Sequence, residues 1–248
     1  MTDLELAALV LDSWDFTDPA GSQQRFTEAA AAEPDPVRRQ VFWTQVARGY
    51  GLQELFEAGH ATLDTLGDPD GLAPEPAVRS LLERGRLHNS SGAPQTAVPF
   101  FRQAYERATA AGLVGLAVDA AHMLAIALPP EQHEEWARRG LADAEGSDDP
   151  LARRMVAALL NNLAWTYGEA GRWADALPLF ERAVEIRRAA GAAEPLFFAR
   201  WARARALRGL GRHEEALAEL RELAATPEGA EDSYVAGEIE ANERRSTA

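Results

Sequence analysis

One spacing governs what this chain can fold into. A small residue, a large apolar residue four positions on, and a small residue or leucine three further recur along its length: Ser22/Phe26/Ala29, Gly59/Leu63/Leu66, Ala97/Phe101/Ala104, Ala137/Leu141/Ala144, Ala176/Phe180/Ala183 and Ala216/Leu220/Leu223. Their first members advance by 37, 38, 40, 39 and 40 residues. Steps of three and four put each trio on one helical face. Six copies at a step of about 39 exceed what generic amphipathic helices produce and mark a repeat array, in which each unit buries its apolar face on the next. A second small position precedes five of the trios, at Ala47, Gly85, Ala125, Ala164 and Ala204. Small side chains facing large ones predict paired helices whose axes approach closely.

The punctuation agrees. Pro19, Pro36, Pro76, Pro130, Pro150 and Pro195 each precede a long stretch rich in alanine and leucine, and three of them follow Asp18, Asp35 and Asp149. Proline suits the first helical position, where its missing amide costs nothing, and aspartate caps the same end. Apolar positions between these marks fall at helical spacing, no stretch alternates with period two, and Gly171 allows a tight turn. The expected class is all-α. Tyr234, Val235 and Ile239, set among many charges, predict a last amphipathic helix over 228–245 that caps the stack.

The run Leu160-Asn161-Asn162-Leu163-Ala164-Trp165-Thr166-Tyr167, followed by Gly171, Ala176, Phe180 and Ala183, resembles the tetratricopeptide repeat. With Ala183-Val184-Glu185-Ile186-Arg187 it is most similar to the longer repeats of kinesin light chains, here of a bacterial type. The resemblance implies a right-handed superhelical solenoid of about six antiparallel helix pairs plus a C-terminal capping helix. It would be one domain over 1–248, with repeats near 3–34, 37–68, 77–112, 118–150, 157–190 and 194–226. Some positions depart from the pattern. Arg84 and Arg203 stand where leucine is usual and His88 where tyrosine is, while Pro99 and Pro178 fall inside second helices. An interior proline costs stability unless the helix starts late or kinks there.

Composition removes whole classes of chemistry. Cysteine is absent, so there are no disulfides, thiolate ligands or thiol nucleophiles. Lysine is absent too; all 25 basic residues are arginine, which excludes a P-loop lysine and Schiff-base chemistry. The five histidines form no His-Glu-x-x-His pair, and Asp68-Pro69-Asp70-Gly71 is a turn lacking the remaining ligands of a calcium loop. Gly-rich phosphate loops and Gly-x-Ser-x-Gly are also missing, so neither enzyme activity nor a cofactor or metal is expected. A formal charge of −14 opposes nucleic-acid binding. With an acidic start and no apolar run near the roughly twenty residues of a membrane span, the expectation is a cytoplasmic protein.

In the resembled family, the first helix of each pair lines the concave face at positions i, i+3, i+7 and i+10. On this chain those are Val41, Thr44, Arg48 and Gly51; Arg79, Leu82, Arg86 and Asn89; Asp119, His122, Ile126 and Pro129; Ala158, Asn161, Trp165 and Gly168; and Phe198, Trp201, Arg205 and Arg208. Five arginines against one acid give a basic stripe inside an acidic protein. Arginine presents a planar fork to carboxylates, and large aromatics anchor partners. Asn162 matches the family's groove asparagine, which implies a backbone clamp for an extended peptide. The expected partner-binding residues are therefore Arg48, Arg79, Arg86, Asn89, His122, Asn161, Asn162, Trp165, Phe198, Trp201, Arg205 and Arg208. Against this stands a structural reading, in which the arginines pair with glutamates of adjacent repeats and the tryptophans pack between helices. Trp14, Trp43, Trp136 and Trp173 are read as packing residues, and His122 leans the same way. The leading functional expectation is a non-catalytic adaptor or scaffold holding an acidic peptide segment of a partner protein. The alternative is a regulatory sensor for a small signal peptide or anionic metabolite. The apolar first helix (Leu4, Leu6, Leu9, Val10, Leu11, Trp14) seals either a homodimer or the end of the stack.

Overall fold

A computed structural model describes residues 3–191 and 193–246, with side chains for 5–191 and 193–244. Among these residues there is no strand; the chain is helical with short connections. It divides into two compact units, Met1–Met155 and Val156–Ala248.

The first unit contains α1 (Asp3–Asp12), α2 (Pro19–Ala32), α3 (Pro36–Leu52), α4 (Phe56–Asp64), α5 (Pro74–Ser90), α6 (Pro94–Ala110), α7 (Val114–Ala127), α8 (His133–Ala144) and the start of α9 (Pro150–Glu169). Within it α3 packs on α4, α5 on α6 and α7 on α8, while α3, α5 and α7 also touch in succession. Leading helices thus lie side by side, as stacked helix pairs require. The second unit holds the rest of α9, then α10 (Trp173–Ala189), α11 (Ala193–Gly209), α12 (His213–Ala224), the single turn α13 (Pro227–Ala230) and α14 (Ser233–Ser246). Here α11 packs on α10 and α12, and α14 covers α12 and the edge of α11. The fold is all-α and built of repeated helix pairs, with α14 as the closing helix.

The repeat trios are core. Phe26, Leu63, Phe101, Phe180 and Leu220 are each at most 1% exposed, Leu141 is partly covered, and all five small positions on the leading helices are buried. In α2 the buried small residue is Ala30, with Ala29 only partly covered. The aspartate caps form where expected. Asp18 accepts from Gly21 N, Asp35 from Val37 N and Arg38 N, and Asp149 from Leu151 N and Ala152 N. Pro76 and Pro195, by contrast, sit third in their helices, and Pro130 opens a 3-10 turn that leads into α8. Pro99 and Pro178 lie in unbroken helix with their rings at the solvent face, so the carbonyls one turn earlier, on exposed Gln95 and Ala174, stay open to water. Gly171 turns the chain between α9 and α10 at φ 73°, a left-handed conformation that glycine adopts without strain.

The atypical residues find partners. Arg84 donates to Asp64 at 2.6 Å, and Arg203 grips the buried Glu219 of α12 through Nε and Nη2 at 2.7 and 2.6 Å. His88 stacks on Phe100, with ring centroids 5.4 Å apart. Leu6 and Val10 of α1 join Phe26, Val41, Phe42 and Val46 in one apolar cluster, whereas Leu9 stays exposed. The side chain of Leu4 lies outside the described residues.

Candidate functional site

In the first unit the arginines of the stripe meet acids of their own and of neighbouring helices. Arg86 on α5 donates to Glu83 one turn earlier and, at 2.6 Å, to Asp119 on α7. Arg48 on α3 reaches the same Glu83 Oε1 at 3.4 Å. Arg79 is buried and donates to Glu75 at 2.8 Å. Burial alone would lower the pKa of Arg86, but Asp119 and Glu83 override it, and the guanidinium is held above its ordinary value. Arg48 ends on the other side. Burial lowers its pKa, Arg86 lowers it further, and Glu83 and Asp119 only partly offset them. His122 is held below its ordinary value by burial against the pull of Asp119.

The chain after α1 folds over this cluster. Trp14 stacks on Phe16 at 5.3 Å, donates through its indole N–H to Gln45 at 2.9 Å, and lies beneath the Arg48 guanidinium. Phe16 takes both Arg48 and Arg154, each 5.8 Å from its ring centre. Together these residues line a cavity of about 120 Å³, completed by Val10, Leu82, Leu116, Leu151 and Met155. Of the expected binding residues it gathers Arg48, Arg79 and Arg86; Asn89 and His122 are not part of its lining.

In the second unit an aromatic row crosses three helices. Trp165 of α9 lies 5.8 Å from Trp201 of α11, which lies 5.9 Å from Tyr234 of α14. Trp165 and Trp201 are half-buried, while Tyr234 is 70% and Phe198 50% exposed. Asn161 sits one helical turn before Trp165 and is half-buried like Asn162, whose carbonyl accepts from Thr166. Arg208 holds Glu238 of α14 with two bonds of 2.6 and 2.9 Å, and Arg205 touches the same carboxylate at 3.3 Å. Arg205 also lies over the Trp173 ring at 4.8 Å. Burial, then Arg208, lower the pKa of Arg205, and Glu238 only partly restores it. Two cations therefore share one carboxylate. Phe198 faces elsewhere, into a larger apolar cavity with Leu196, Phe197 and Leu223, rimmed by Glu194, Glu228 and Asp232.

Sequence reasoning did not place Phe16, Glu83, Arg154, Tyr234 or Glu238 at these sites. Glu83 carried a usable signal, four residues after Arg79 and three before Arg86, which is helical pairing distance. Among the described residues, no three His, Asp or Glu side chains are placed to hold a metal, and no helix is long and apolar enough to cross a membrane.

Helix pairs at a regular step define a helical-repeat protein. One of these pairs matches the family model of the tetratricopeptide repeat, over residues 156–190, most of α9 and all of α10. Among solved structures, a Podosopora anserina kinesin light chain with nearly identical TPR-like repeats is similar at TM-score 0.60 and 20% identity, over 81% of this chain and 100% of that one. BtubC (BKLC) from P. vanneervenii gives 0.64 at 17% identity, over 90% of each chain. The apo form of RapI gives 0.66 at 11% identity, over 96% of this chain and 72% of RapI. At such identities the likeness is one of fold. No curated protein matches the chain in sequence.

Proposed function

We propose that this chain is a non-catalytic interaction protein whose second unit holds an extended, acidic segment of a partner protein. One observation carries the reading: a partly exposed aromatic row, Trp165–Trp201–Tyr234, beside two arginines that share a single carboxylate. Aromatic faces supply area at little conformational cost. The incompletely neutralised Arg205 supplies a charge-assisted fork for an incoming Asp or Glu. Peptides combining apolar and acidic residues should bind in calorimetric titrations, and less tightly as salt rises. Arg205→Glu should weaken them about tenfold or more while helicity by circular dichroism stays unchanged. Equal affinity in wild type and Arg205→Glu refutes the reading.

A second reading is favoured by the first unit. Its cavity is too small for an extended peptide, and its polar wall is mostly basic. That suits a sensor for a small ligand bearing an anionic group.

A further inference from the structure

We propose that the cavity beneath Phe16 is a site for a free α-amino acid with an apolar side chain. This deepens the small-ligand reading above and rests on it; the peptide reading uses other residues and is independent of it.

The size comes first. An apolar cavity of roughly 150 Å³ holds benzene, so about 120 Å³ admits a hydrocarbon group somewhat smaller, such as a branched four-carbon side chain, with its charged head at the side where Arg154 is exposed. The walls then specify its groups. Leu82, Leu116, Leu151 and Met155 offer an apolar lining to a hydrocarbon side chain. On one side stand two guanidinium groups that the protein's own acids leave under-neutralised. Arg48 has only the 3.4 Å contact to Glu83, and Arg154, which packs on the Phe16 ring, pairs with no carboxylate among the described residues. Both lie against the Phe16 ring and line the cavity, where either can take a ligand's carboxylate.

The opposite requirement is set by Glu83. Its side chain is 4% exposed; Oε1 accepts from Arg86 and Arg48, while Oε2 is buried and meets no protein donor. A buried carboxylate oxygen without a donor costs free energy; Glu83 lines the cavity, and a turn of its carboxylate that brings Oε2 to a ligand's ammonium group would recover it. Carboxylate toward Arg48 and Arg154 and ammonium toward the adjacent Glu83, both carried on one α-carbon, with the side chain against the apolar wall, describe an amino acid such as leucine. A fatty acid would leave Glu83 unanswered, and an amine would leave the arginines so.

The test compares three compounds sharing one skeleton: leucine, 4-methylpentanoate, which lacks the amine, and 3-methylbutylamine, which lacks the carboxylate. Titration of the full chain, with thermal melting in parallel, should show leucine binding at least tenfold tighter than either counterpart. Arg154 is exposed at the cavity mouth, so Arg154→Ala should fold normally and bind leucine at least tenfold more weakly. Glu83→Gln should shrink the preference for leucine over 4-methylpentanoate; should that variant not fold, the Arg154→Ala result and the three-compound comparison decide. If 4-methylpentanoate binds as tightly as leucine, the amino-acid assignment falls and the small-ligand reading stands. If none of the three binds at millimolar concentration, both fall.

Discussion

Burying Asp119 would by itself raise its carboxyl pKa; Arg86 first, then Arg48, reverse this and hold the acid below the ordinary aspartate range. A folded-state pKa below the unfolded value contributes stability that is present above pH about 4 and lost as pH falls through the folded value. Asp119→Asn should therefore cost about 3 kcal/mol at neutral pH, because it strands Arg86, and should flatten the acid side of the stability profile. Urea titrations of both proteins between pH 3 and 7 check this. At this scale the sequence was legible in part. The arginine stripe could be read from helical spacing and Glu83 from its distance to Arg79 and Arg86. The meeting of Arg86 with Asp119, 33 residues away, depends on which helices become neighbours. Arg154 over Phe16 is a contact of the same kind, since the path of the chain after α1 sets it.

Among the elements, the close approach of α5 to α6 is an exacting one. A Cβ on Gly85 would lie 2.3 Å from the ring of Phe101, which is fully buried. Alanine is the better helix former by about 1 kcal/mol, but a buried ring has no room to retreat. Gly85→Ala should thus destabilise by about 1–3 kcal/mol in chemical denaturation, and a gain in stability would show that the two helices part easily. The helix pairs were readable because the trios repeat and because Asp-Pro marks real starts at Pro19, Pro36 and Pro150. Pro76 and Pro195 misled by two residues, since proline is tolerated throughout a first turn, where amides lack intrahelical partners anyway. Arg203 looked like a flaw in the repeat; its pairing with Glu219 shows a charged contact replacing an apolar one between α11 and α12.

Across the whole molecule, 39 acids oppose 25 arginines for a formal charge of −14. The described ion pairs tie many of the arginines to acids, some of them two to one carboxylate, and the surplus carboxylates repel one another over the surface. Raising salt from about 0.05 to 0.5 M shortens the screening length severalfold and should lift the thermal midpoint by about 2–5 °C. A falling midpoint would mean that the arginine pairs outweigh the repulsion. What composition could not reveal is how that charge is spent, and α14 is the instance with most bearing on binding. Because Glu238 already rests against Arg208 and Arg205, the closing helix would, on the proposed peptide reading, act as a tethered rival to an acidic guest. Such a guest would have to out-compete a carboxylate that never diffuses away, which would screen out weak acidic sequences. A chain clipped ahead of Ser233 would lose this screen together with Tyr234, and should hold its guests both less tightly and less choosily.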